Sequence, residues 1–86
     1  MKLKPGFILR EIAGETIVVP SGNELELNMM ITLNGTGKLL WKQLETGATI
    51  DELVQAILAE YEIDEQTARL DAEAFVAKML ERGFLE

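Results

Sequence analysis

Eighty-six residues, 48% of them hydrophobic, are enough for one domain spanning 1–86 with a single modest core, and too few to enclose an active site of ordinary size. The chain has no cysteine and no histidine, so disulfides, thiolate and imidazole ligands and a near-neutral proton shuttle are excluded, and neither cofactor nor metal is expected. The net charge of -7 lies wholly after Ile50, because Lys2, Lys4, Arg10, Lys38 and Lys42 balance Glu11, Glu15, Glu24, Glu26 and Glu45. A helical half so rich in acids is a poor surface for phosphate backbones, whose binding needs clustered Lys and Arg.

No apolar run approaches the roughly 20 residues that cross a bilayer, and the start MKLKPGF lacks the apolar segment of a secretory signal. The expectation is a soluble cytoplasmic protein with no membrane partner.

From Gly6 to Pro20 the sequence predicts a hairpin. Phe7 and Leu9, then Ile12, Ile17 and Val19, mark two β-rich runs, and Ala13-Gly14-Glu15 between them carries the glycine that a tight turn favours. Pro20 ends the second strand, having no N–H to give to a ladder. Ser21-Gly22-Asn23 follows as a loop. From Glu24 the alternation is strict, with Leu25, Leu27, Met29, Ile31 and Leu33 on one face and Glu24, Glu26, Asn28, Met30 and Thr32 on the other. That is a third strand, its true core expected at Met29 to Leu33.

At Asn34 the period changes from two to about 3.6. Asn34 is suited to cap a first helix running to about Glu45 and stopped by Gly47, with Leu40, Trp41 and Leu44 on one face. Gly35 and Gly37 cost helix propensity, which points to close packing at this corner or to an irregular first turn. Thr49 and Glu52 form a capping box for a second helix, whose apolar stripe is Ile50, Leu53, Val54, Ile57, Leu58 and Tyr61. Asp64 can cap a third, with Ala68, Ala72, Phe75, Val76, Met79 and Leu80 as its buried set, closed by Gly83 with Phe84 and Leu85 folding back. Three strands followed by three helices make an α+β domain, a winged-helix-like three-stranded antiparallel sheet with three helices.

The composition leaves paired carboxylates as the one catalytic option, at Asp51/Glu52, Asp64/Glu65 or Asp71/Glu73. These lie at helix starts or on a polar helix face, where capping and solvation account for them. NGTGK, Asn34 to Lys38, lacks the spacing of a phosphate loop. Binding remains. A third strand at the sheet edge either accepts an extended peptide as a further strand or is an edge protected by Glu24 and Glu26.

The ordered set Leu33-Asn34, Gly37, Leu40-Trp41, Leu44, Gly47 before Thr49, Leu53, Ile57, Tyr61, Asp71, Phe75, Met79 and Gly83 with two apolar residues after it resembles the PqqD family, small proteins that recognise precursor peptides in ribosomal peptide-modification pathways. The resemblance covers almost the whole chain. Gly35 departs from it, standing where a larger residue is common, and Met29-Met30 departs where a small residue followed by an apolar one is usual.

The resemblance implies a non-catalytic adaptor. It would hold the leader of a precursor peptide against the third strand and third helix, and present it to a modifying enzyme, often of the radical SAM type. Carried onto this chain, the peptide pairs along Leu27, Asn28, Met29, Met30, Ile31, Thr32 and Leu33. Of the two flanks that Phe75 leaves on helix three, one with Arg69 and Glu73 and the other with Asp71, Lys78 and Arg82, the second offers two cations to an acidic leader. The competing expectations are a winged-helix nucleic-acid binder and a homodimer joined through the same strand edge.

Overall fold

The computed structural model describes residues 1–20 and 30–86. In chain order the described elements are β1 (Phe7–Ile12), β2 (Glu15–Pro20), β3 (Ile31–Leu33), α1 (Gly35–Thr46), α2 (Ile50–Glu60) and α3 (Glu65–Glu81). The three strands form one antiparallel sheet in the order β1-β2-β3. This is the α+β, winged-helix-like arrangement expected from the segregated strand and helix patterns.

The β1–β2 hairpin turns on Ala13 and Gly14 alone, at φ 53° and 83°, while Glu15 already pairs with Ile12. Two successive positive φ values define the type I′ turn, whose twist matches that of the flanking strands. The turn sets the phase of the sheet. Phe7 and Leu9 pack against the core and Val18 is its fully buried member on β2, facing Ile31 across the ladder, whereas Ile17 and Val19 are half-buried and Ile12 is exposed. In β3, Ile31 and Leu33 point inward and Thr32 outward, as the alternation predicts.

Each helix starts at the cap expected. The Asn34 side chain accepts the Gly37 N–H, Thr49 and Glu52 complete a reciprocal capping box, and Asp64 accepts the Thr67 N–H. Four of the orphan donors at helix starts are thereby satisfied by side chains. Leu40, Trp41 and Leu44 of α1, Leu53, Val54 and Ile57 of α2, and Ala68, Ala72, Val76 and Met79 of α3 interlock over the inner face of the sheet.

Two expected core residues lie elsewhere. Leu80 is 59% exposed, because Met79 takes the inward position of that turn, and Tyr61 sits at the C-cap of α2, 39% exposed. After Gly83, at φ 80°, Phe84 and Leu85 do fold back into the core. Phe84 stands edge to face against both Phe7 and Trp41, with ring centroids 4.7 and 5.4 Å away. The sequence pattern missed the opposite end of the clasp: Leu3 is buried and bridges Leu85, its N–H donating to the Leu44 carbonyl.

Candidate functional site

Among the described residues the sheet has two edge strands, β1 and β3, and the outer border of β3 is the one that runs into the first helix cap. In a two-residue hairpin the residues flanking the turn exchange both hydrogen bonds, so Ile12 and Glu15 are a bonded pair, and bonded pairs then alternate along the ladder. Ile17 and Val19 therefore spend their backbone groups on β1, while Thr16 and Val18 turn theirs toward Leu33 and Ile31 of β3. The N–H and C=O of Thr32 are left pointing away from β2. Among the described residues no strand pairs with that border.

Beside it lies a pocket of about 280 Å3, walled by Asn34, Gly37 and Leu40 on one side and by Asp71, Ala74, Phe75 and Lys78 of α3 on the other. Its floor is apolar, since Leu40 is buried and Phe75 half-buried, and two exposed opposite charges stand at its rim. Local sequence explains the shape. The three- and four-residue spacing of Asp71, Ala74, Phe75 and Lys78 puts them on one flank of α3.

Of the residues singled out in the sequence, Ile31, Thr32 and Leu33 form β3, and Met30, half-buried, directly precedes it. Leu27, Asn28 and Met29 lie outside the described residues. Asp71 and Lys78 share the pocket, whereas Arg82, at the C-cap of α3, is not among its walls. Sequence reasoning placed Phe75, Leu40 and Gly37 in core packing only. The signal available was Phe75 itself, flanked at minus four and plus three by the two charges.

The other flank of α3 is occupied by its own protein. Arg69 pairs with Asp51 of α2 at 3.0 Å and with Glu65 at 3.6 Å, and these carboxylates, Asp51 first, raise its pKa. Lys38 of α1 bonds Glu11 of β1, and that bond holds the Glu11 carboxyl below its usual range. Among the described residues no three or more Asp or Glu converge as a metal site would require, and no helix is long and apolar enough to cross a membrane.

The sequence profile of the family described as "Coenzyme PQQ synthesis protein D (PqqD)" matches residues 15–85, from the start of β2 to the clasp. The chain belongs to the PqqD family. Two solved structures share the fold of this PqqD-family chain. One is "TbiB1 in Complex with the TbiA(beta) Leader Peptide", 27% identical, with a TM-score of 0.78 over 100% of this chain and 95% of that one. The other is "Lasso peptide synthetase B1 complexed with the leader peptide", 23% identical, with a TM-score of 0.74 over 96% and 93% of the two chains. No curated protein matches the chain.

Proposed function

We propose that this PqqD-family chain is a non-catalytic adaptor that captures the leader segment of a ribosomally made precursor peptide by strand addition and presents it to a modifying enzyme. The observation that carries this reading is the open border of β3 beside the pocket on α3. An extended peptide laid along that border would find the N–H and C=O of Thr32 free to pair, and main-chain bonds would give it affinity and register. Its successive side chains would point alternately to the two faces, so every second one would meet the pocket of Phe75, Leu40 and Ala74, with Asp71 and Lys78 selecting for charge at the rim. The pairing stretch expected from the sequence, 27–33, has its described part at Met30 to Leu33, and Arg82 would extend the cationic end of the flank.

Support comes also from TbiB1, which shares the fold over nearly its full length and is solved with a leader peptide bound. For the modifying enzyme, the family suggests the radical SAM type. A second copy paired edge to edge would use the same Thr32 groups, so a homodimer of that kind and leader capture exclude one another. For nucleic acid the electrostatics are unfavourable: with Arg69 tied to Asp51 and Glu65, α3 sets Lys78 and Arg82 against Asp71, Glu73 and Glu81.

The test is an NMR titration with the leader of a precursor peptide encoded beside this chain. Amide shifts concentrated at Met30 to Leu33 and at Asp71 to Lys78 are expected. Shifts confined to other elements, or none with any neighbouring peptide, would sink the proposal.

A further inference from the structure

The outer face of α3 carries apolar residues that the domain does not use. Leu70 is 61% and Leu80 59% exposed, and with Ala77 between them they recur at seven and three residues, one stripe along a helix. Core packing fails to account for them, because the inward face of the same helix is already supplied by Ala68, Ala72, Val76 and Met79. Glu73, three residues after Leu70 and seven before Leu80, falls within the stripe, Glu81 stands beside it, and among the described residues neither forms an ion pair. The one cation next to it, Arg69, is held back by Asp51 and Glu65. The result is a face on the longest described helix where two exposed leucines alternate with unpaired acids, different from the Asp71–Lys78 flank that walls the pocket.

We infer that this face docks a basic, apolar-centred helix or groove of the modifying enzyme, so that α3 holds the enzyme on its outer side while its pocket flank holds the leader. The inference rests on the adaptor reading for the identity of the partner. Charge decides the sign of that partner. A second copy would bring Glu73 and Glu81 of two chains of net charge -7 against each other, which like-charge repulsion disfavours. A cationic surface would instead pair with Glu73 and Glu81 while burying the two leucines beside them.

The experiment titrates the maturation enzyme encoded beside this chain, and separately its leader peptide, into the wild-type protein, a Leu70→Ser/Leu80→Ser variant and a Glu73→Lys/Glu81→Lys variant, at low and at high salt. All four positions are exposed, so both variants are expected to fold, and circular dichroism checks that. The inference expects each double variant to lose at least about tenfold in enzyme affinity, with leader affinity within about twofold of wild type and enzyme binding by the wild type weakened by salt. Wild-type enzyme affinity in both variants overturns it, as does the absence of enzyme binding by the wild type. A serine variant whose only change is a lost self-association in sedimentation overturns it too, in favour of a second copy. If the wild type binds the enzyme through this face and no leader, the docking surface stands and the adaptor reading falls.

Discussion

The Asn34 side-chain oxygen that accepts the Gly37 N–H at 2.7 Å is also the atom that a Cβ on Gly37 would approach to 3.2 Å, with Leu33 at 3.4 Å behind it. Both neighbours are fixed, one as the cap of α1 and the other in the core. Alanine at 37 therefore gains helix propensity but disturbs the cap and the end of β3, and Gly37→Ala is expected to destabilise by about 1 kcal/mol. Position 35 is the contrasting case. Its Cβ would meet the Tyr61 hydroxyl at 3.1 Å, the far end of a partly exposed side chain that can give way. Gly35→Ala should be neutral or stabilising by about 0.5 kcal/mol. Urea unfolding of the two variants, followed by the fluorescence of the single tryptophan, Trp41, separates them.

Phe84 is fully buried and joins Phe7, Trp41 and the clasp at the chain's end. Phe84→Ala leaves a cavity between three elements and should cost about 3–5 kcal/mol, a large share of the stability of a domain this small. Thermal melts monitored by near-UV circular dichroism should show the midpoint falling by more than in any surface variant above.

Two exposed carboxylates tie stability to pH. Hydrogen bonding from Thr67, side chain first and backbone second, holds Asp64 below the ordinary aspartate range, and Lys38 does the same for Glu11. A lowered folded value means stability that is present above the ordinary pKa of about 4 and lost as pH falls through the folded value. Asp64→Asn keeps a cap that does not titrate. Unfolding curves at pH 5 and below should show the wild type losing more stability with acid than the variant.

Most of this architecture was legible because its signals are local. Asn34, Thr49, Asp64 and Gly83 each sit beside the backbone groups they serve, so one window of sequence contains both partners. What was hidden depends on distance or on phase. Leu3 and Leu85 meet from the two ends of the chain, and nothing in residues 1–5 shows a period. Ile17-Val18-Val19 reads equally well in either phase, and the two-residue turn at Ala13-Gly14 decides that Val18 faces inward. Leu80 fits the three- and four-residue spacing of the buried set, but Met79 fills the place. At the candidate site, Asp71 and Lys78 were recognisable as one flank, whereas the pocket they share with Gly37 and Leu40 arises only when α1 and α3 cross.

Filling that pocket should block the guest without harming the host. Ala74 is exposed on its wall, so Ala74→Phe is expected to leave the melting temperature near that of the wild type while weakening leader binding at least about tenfold. Isothermal titration of the leader peptide reads the affinity.

The most direct measurement concerns Thr32. Its N–H points away from β2, so proline there removes a donor that no strand among the described residues uses, and places a ring where an added strand would lie. Ile31→Pro is the control, since the Ile31 N–H belongs to the ladder with Val18 and its loss should destabilise the fold. Leader-peptide titration of Thr32→Pro is predicted to show a folded domain with affinity reduced at least about tenfold. A folded Thr32→Pro variant that binds the leader as tightly as the wild type would contradict capture along this border.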